Sequence, residues 1–134
     1  MNKLLTVFFY SLLLGIPLPG HWAPMPPSEK TVHRVQLAPG SSEYQDVLRK
    51  MQATAGALPV QKIERIQNPH LYQSYMVRKQ KMDKDYGGNS ERQLFHGTDG
   101  KNISHINAQG FNRSFCGAHG EFLWIDNCLV KGKD

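Results

Sequence analysis

The spacing of helix-breaking residues is the feature that most limits how this chain can fold. Gly56 and the pair Asn68 and Pro69 enclose the segment 60–67 and leave too few residues between them for a full helix. The segment is therefore predicted to be a strand, although its apolar residues recur at every third position and match neither the strand nor the helix period well. Asn68 is a good N-cap and Pro69 a good first helical residue, so a helix is predicted to follow directly.

A strand and a helix are also predicted on the N-terminal side of this segment. Residues 31–37 place His33, Val35 and Leu37 on one face at every second position, which is the strand period. Ser42 and Gln45 have the spacing of a capping box, so a helix is predicted to begin at Ser42 and to fade around residues 54–56. Its apolar stripe follows the spacing i, i+3, i+4, i+7 and consists of Tyr44, Val47, Leu48 and Met51.

On the C-terminal side, a short strand is predicted at residues 93–96. Asp99 is expected to cap a third helix, and Gly110 is expected to end that helix in a left-handed cap with Phe111 folded back on Ile106. The resulting order alternates strand and helix three times. It indicates an α+β fold of mixed α/β type, and the sequence contains no glycine-rich dinucleotide fingerprint.

Composition excludes several classes of function. The 16 Lys and Arg residues outnumber the 11 Asp and Glu residues, which gives a formal net charge of +5. The densest basic cluster, at 78–81, lacks the aromatic platforms of a nucleic-acid site and is interpreted as a solvated helix face, so no clear nucleic-acid site is predicted. Cys116 and Cys128 fit a reducing compartment or a single optional bridge. Together with His119 they make only three candidate zinc ligands at no standard spacing, so no metal site is predicted.

Residues 1–17 form a leader that differs in composition from the rest of the chain. Lys3 precedes an apolar run at 4–16, which is too short for a transmembrane span of about 20 residues. The run matches the apolar core of a secretion signal, but Pro-Leu-Pro-Gly at 17–20 follows it in place of a small-residue cleavage site. Three interpretations stay open: a signal peptide, a buried apolar segment, or sequence unrelated to the rest of the chain.

The residues with the clearest chemical potential are His96, Gly97 and Thr98, at a predicted junction of strand and helix. Such a junction exposes backbone N–H and C=O groups, and a glycine lets a ligand approach them closely. A planar carboxamide could pair with both backbone groups of Gly97. The imidazole and hydroxyl on either side are suited to sugar hydroxyls. A purely structural hydrogen-bonding role for His96 is the alternative from spacing alone.

Residues 18–117 resemble the N-terminal half of a catalytic domain of the poly(ADP-ribose) polymerase superfamily. The resemblance is closest to the branch of mono-ADP-ribosyltransferases found with macrodomains. It implies a truncated ADP-ribosyltransferase fold, with a split β-sheet and flanking helices. Four motifs in matching order carry it: residues 18–25, 63–69, 93–99 and 110–115.

The resemblance also implies a reaction and a set of roles. The family cleaves NAD⁺ and transfers ADP-ribose to an acceptor side chain of a protein, without a metal. Gly97 would hold the nicotinamide carboxamide through its backbone, and His96, as the catalytic residue, would bind the adenosine-side ribose with support from Thr98. Asn112 and Arg113 would border the adenosine pocket. The family also implies a nuclear or cytoplasmic location, whereas the apolar run at 4–16 offers secretion as the alternative.

Residues 118–134 depart from the family and form a non-family tail in this interpretation. The family continues with a Tyr-Gly-x-Gly-x-Tyr-Phe type of segment, whose tyrosine stacks on nicotinamide, and this tail has no such segment. We therefore expect a sheet with unpaired edges and an inactive chain. The alternative function is that of a non-catalytic fragment or splice product that at most binds a partner or a nucleotide.

Overall fold

The computed structural model describes residues 15–88, 91, 93–111, 122–125 and 128–132. Helices and strands alternate over most of this length, and the α+β class predicted from the sequence is confirmed. A 3₁₀ turn, Gly100–Asn102, precedes the last helix. The elements are β1 (His33–Gln36), α1 (Ser42–Ala55), β2 (Val60–Gln67), α2 (Pro69–Tyr86), β3 (His96–Thr98), α3 (Ile103–Gln109), β4 (Phe122–Ile125) and β5 (Cys128–Gly132).

The chain divides into two compact units. The helical unit contains residues 15–24 together with α2, and the sheet unit contains all five strands with α1 and α3. In the helical unit, the rings of Trp22 and Tyr72 meet edge to face with centroids 5.4 Å apart. The side-chain amide of Gln73 donates to the carbonyl of Ile16 at 3.3 Å. These two contacts attach the proline-rich segment to the first turns of α2.

The sheet has five strands in the order β1-β2-β5-β4-β3, and every neighbouring pair is antiparallel. His33 lies opposite Gln67 in the register of β1 with β2. Strand β2 has a partner on each side because β5, from residues 118–134, pairs with it. Neither edge of β2 is therefore unpaired. Within the described residues, β1 and β3 are the edge strands.

Two apolar clusters pack on β2. The first contains Leu37, Val47, Met51 and Ile63, and Met51 and Ile63 are fully buried. The apolar stripe predicted on α1 faces this cluster: Val47 and Met51 belong to it, and Tyr44 and Leu48 pack against it. The second cluster contains Ile66, Ile103 and Ile106 and attaches α3 to the sheet.

The N-cap of α1 is Ser41, so the capping box predicted to begin at Ser42 is wrong by one residue. The backbone N–H of Tyr44 donates to the hydroxyl of Ser41 at 3.2 Å, and the hydroxyl itself donates to the carbonyl of Ala38 at 2.7 Å. Gln45 turns away from the cap and donates to the carbonyl of Pro39 at 2.7 Å. The turn before the helix thus decides which serine caps it.

Two boundaries near the third strand also differ from the prediction. The strand spans His96–Thr98 rather than residues 93–96, because pairing with β4 begins at His96. Asp99 precedes a 3₁₀ turn, with no side-chain cap bond, rather than starting an α-helix. Its carboxylate instead lies 3.1 Å from the ammonium of Lys101.

Glu64 of β2 is buried between two cations. Arg34 donates to its carboxylate at 2.5 Å and Lys62 at 3.0 Å. Burial acts to raise the pKa of this carboxyl group, but the hydrogen bonds from Arg34 and Lys62 outweigh it and hold the pKa below its ordinary value of 4.5. The ionised form of Glu64 is therefore favoured in the folded state.

Replacing Ser41 with alanine should lower the free energy of unfolding by about 1 kcal/mol, because the Tyr44 N–H loses its acceptor at the start of α1. Ser42→Ala is the matched control, since Ser42 is exposed and is the first helical residue. Urea unfolding followed by circular dichroism measures both. An equal loss in the two variants would contradict the assignment of Ser41 as the cap.

Acid should destabilise the wild type more than a Glu64→Gln variant. The pKa of Glu64 is lower in the folded chain than in the unfolded chain, so its stabilising contribution is present above pH 4.5 and is lost as the pH falls below that value. Urea midpoints between pH 7 and pH 3 measure the effect. If the urea midpoints of the wild type and of Glu64→Gln fall in parallel below pH 4.5, the hydrogen bonds to Glu64 are not the cause of the loss of stability in acid.

Candidate functional site

Three of the candidate residues form strand β3 itself. His96 and Gly97 are half-buried and Thr98 is buried, with 3% of its surface exposed. Gly97 lies opposite Leu123 in the register with β4. In the described part of the sheet, β3 pairs with β4 only, so one edge of β3 presents its backbone groups outward. A strand edge with glycine at its centre is suited to a planar group that both donates and accepts hydrogen bonds.

The hydroxyl of Thr98 is held by the turn that follows the strand. The side-chain amide of Asn102 donates to Thr98 Oγ1 at 3.4 Å. Asn102 ends the 3₁₀ turn before α3, so this contact connects the strand to the helix. Sequence reasoning did not identify Asn102. The signal for it is an amide side chain four residues after a buried threonine, with a tight turn between them.

The imidazole of His96 contacts the ring of Phe111. Their centroids are 4.7 Å apart and their planes are inclined at 67°, which is an edge-to-face arrangement. The sequence predicted that Phe111 would pack on Ile106. The structure leaves Phe111 60% exposed, and its ring lies against His96. Ile106 is enclosed in the cluster with Ile66 and Ile103.

Gly110 makes this contact possible by turning the chain at the end of α3. Its N–H donates to the carbonyl of Ile106 at 2.8 Å, so the predicted helix end is confirmed. Its φ of +79° is positive, but its ψ of −173° is extended, so the left-handed helical cap predicted for this glycine is wrong. This combination of φ and ψ lies in a region that is essentially open to glycine alone. Phe111 is the first residue after the turn.

The C-terminal end of α3 is also attached to β2. The side-chain amide of Asn68 donates to the carbonyl of Asn107 at 2.9 Å and to that of Ala108 at 3.3 Å. A side-chain donor at the last carbonyls of a helix satisfies groups that have no partner within the helix. Asn68 was predicted only as the N-cap of the following helix, and this long-range role has no local signal in the sequence.

Several other predicted residues lie outside the described part of the chain. These are Asn112 and Arg113, and also Cys116 and His119 of the weak zinc pattern. Among the described residues there is no group of three potential metal ligands, and no helix there is long and apolar enough to cross a membrane.

The basic cluster at 78–81 lies on α2 and takes part in ion pairs along the helix. The ammonium of Lys79 lies 2.5 Å from the carboxylate of Asp83, and the ammonium of Lys81 lies 2.7 Å from the carboxylate of Asp85. The hydrogen bond with Asp83 raises the pKa of Lys79 above its ordinary value. Pairs at this spacing are typical of a solvated helix face, as the sequence suggested.

Comparison with known proteins gives one consistent result. A family model for the poly(ADP-ribose) polymerase catalytic domain matches residues 41–123. Protein mono-ADP-ribosyltransferase PARP14 of Homo sapiens is 43% identical over 103 residues, which cover 76% of this chain and 6% of that protein. Protein mono-ADP-ribosyltransferase PARP12 of Mus musculus is 39% identical over 105 residues, which cover 77% of this chain and 15% of that protein. The chain therefore spans only a small part of the length of these relatives.

Replacing Gly110 with alanine should lower the free energy of unfolding by about 1–3 kcal/mol, because a Cβ atom strains the backbone at this φ and ψ. Gly40→Ala is the matched control, since a Cβ there meets nothing within 4 Å and φ is not positive. Urea unfolding measures both variants. A Gly110→Ala variant as stable as the Gly40→Ala variant would contradict the conformation described for this turn.

Proposed function

This chain belongs to the poly(ADP-ribose) polymerase catalytic-domain family, and we propose that His96, Gly97 and Thr98 form part of an NAD⁺ site. The observation that carries the proposal is the location of Gly97 at the centre of an edge strand, with an imidazole before it and a buried hydroxyl after it. The relatives whose names identify them as mono-ADP-ribosyltransferases support NAD⁺ as the ligand.

The reaction of such a site is transfer of ADP-ribose from NAD⁺ to a protein acceptor. The bond between nicotinamide and ribose breaks, and its electron pair stays on nicotinamide. An acceptor side chain supplies the electron pair for the new bond to the ribose carbon and releases a proton. The transition state has oxocarbenium character, so positioning and electrostatics contribute most to the rate.

Each of the three residues has a chemically suitable role in holding the donor. The backbone N–H and C=O of Gly97 match the acceptor and donor of the nicotinamide carboxamide. The imidazole of His96 is suited to a ribose hydroxyl. Thr98 is buried and takes a hydrogen bond from Asn102, so we assign it support of the strand conformation at the ribose end.

We further propose that this chain binds NAD⁺ without transferring ADP-ribose. In this proposal, the three residues of β3 supply contacts with the carboxamide and a ribose. The aromatic motif that the family uses to stack on nicotinamide is not present in the sequence of residues 118–134. Binding of a nucleotide without catalysis is therefore the second candidate function, beside ADP-ribose transfer. Both functions depend on the same three residues of β3.

Binding of NAD⁺ to the purified chain, measured by ligand-observed NMR titration, tests the site. His96→Ala should weaken binding by about 1–3 kcal/mol, because it leaves a ribose hydroxyl without its partner. Gly97→Val should weaken binding strongly, because its side chain obstructs the approach to the backbone. His105→Ala is the control, since this histidine is exposed on α3.

Incubation of the wild type with labelled NAD⁺ tests transfer separately from binding. We expect no label on the chain or on an added protein acceptor. Label that His96→Ala abolishes would contradict the proposal of binding without transfer and support the transferase activity. Equal weakening by His96→Ala and His105→Ala would instead show that the assignment of the binding site to β3 is wrong.

A further inference from the structure

We propose that Phe111 is a positioning residue for His96, whose ring holds the imidazole in the orientation that meets the ligand. The proposal rests on the proposed function for the role of His96 in binding. It adds a residue that lies after α3, 15 positions further along the chain than the histidine. Phe111 is not assigned a contact with NAD⁺ itself.

The first argument is that pairing of β3 does not fix the His96 ring. The backbone of His96 is held in register with Trp124 of β4. Its side chain is only half-buried, and the second side-chain torsion of histidine is broad and roughly two-fold. A histidine at a strand edge therefore needs a further contact to keep one ring orientation.

The second argument is the geometry of the contact with Phe111. A centroid distance of 4.7 Å at 67° lies in the range that aromatic pairs prefer, and it defines both the distance and the inclination of the rings. An aliphatic side chain at the same place would fill space without imposing an inclination. The contact is thus specific for an aromatic ring at position 111.

The third argument is that burial does not explain the presence of Phe111 at this point. Its side chain is 60% exposed, so it adds little apolar area to either cluster on β2. The turn at Gly110 and the hydrogen bonds from Asn68 to the last carbonyls of α3 nevertheless hold the chain where this ring reaches His96. The turn at Gly110 and the side chain of Asn68 therefore fix the location of a ring that contributes little to the core.

The proposal is tested by NMR of the His96 ring protons in the full chain, without and with NAD⁺. In the wild type these protons should be shifted by the ring current of Phe111 and should give one set of resonances. Phe111→Leu keeps apolar bulk but should lose the shift, and NAD⁺ binding should weaken about two- to tenfold, the range expected for loss of one aromatic pair. Phe111→Tyr keeps a ring and should retain both properties.

Leu94→Ala is the control for an exposed apolar side chain near β3, because Leu94 is 74% exposed. It should change neither the shift nor binding. Thermal unfolding of each variant separates positioning from a structural effect. Weaker NAD⁺ binding by a Phe111→Leu variant that is as stable as the wild type supports positioning, whereas weaker binding that accompanies a lowered melting temperature contradicts it. If the wild type has no ring-current shift, or if Phe111→Leu loses it while NAD⁺ binding stays unchanged, the positioning role is overturned. If the wild type shows the shift but does not bind NAD⁺, the proposed function is rejected. In that case the His96 ring can still have one orientation in the wild type and in Phe111→Tyr but several in Phe111→Leu. That result would support Phe111 as the residue that orients His96.

Discussion

Burial of strand β2 on both faces is the constraint on which the rest of the sheet unit depends. Ile63 is fully buried in the cluster with α1, and Ile66 lies in the cluster with α3. Positions three apart on a strand point to opposite faces of the sheet. One strand therefore holds a helix on each side, and pairing with β1 and β5 fills both of its edges.

Buried charged and polar residues of β2 have hydrogen-bond partners on α1 and within the strand. Arg65 donates to Glu43 of α1 at 2.5 Å and to Gln67 at 3.0 Å, and Gln67 is itself fully buried. A buried ion pair such as that of Arg65 with Glu43 adds little to the free energy of unfolding, but removing one partner leaves an uncompensated charge and destabilises the fold. The consequence is a defined position of α1 along the strand, because apolar packing alone tolerates small shifts whereas these hydrogen bonds do not.

The candidate site takes its geometry from β2 by two separate routes. Strand β3 is connected to β2 through β4 and β5, which set the register of His96 and Gly97. Helix α3 is connected through Ile66 and through the amide of Asn68. The contact of Phe111 with His96 lies where the two routes meet. A site assembled in this way responds to changes in β2 even though no residue of that strand belongs to it.

The sequence by itself determined the type and order of the elements and the family of the chain. Gly56, Asn68 and Pro69 set the limits of β2, and Gly110 set the end of α3, because backbone restrictions of glycine and proline act locally. The apolar spacing of three in β2 matched no single period because a strand buried on both faces need not alternate. Motifs around His96 and Gly97 carry part of the resemblance to this family.

Only the tertiary structure decided which partners those residues have. Ser41 rather than Ser42 caps α1 because the preceding turn brings its hydroxyl to the Tyr44 N–H. Asn68 reaches α3, and Phe111 reaches His96, across separations that no local pattern encodes. Pairing of β5 with β2 likewise depends on where the sheet brings two distant segments together. Local preferences fix which conformation a segment adopts, whereas contacts between distant segments depend on how the whole chain buries its apolar surface.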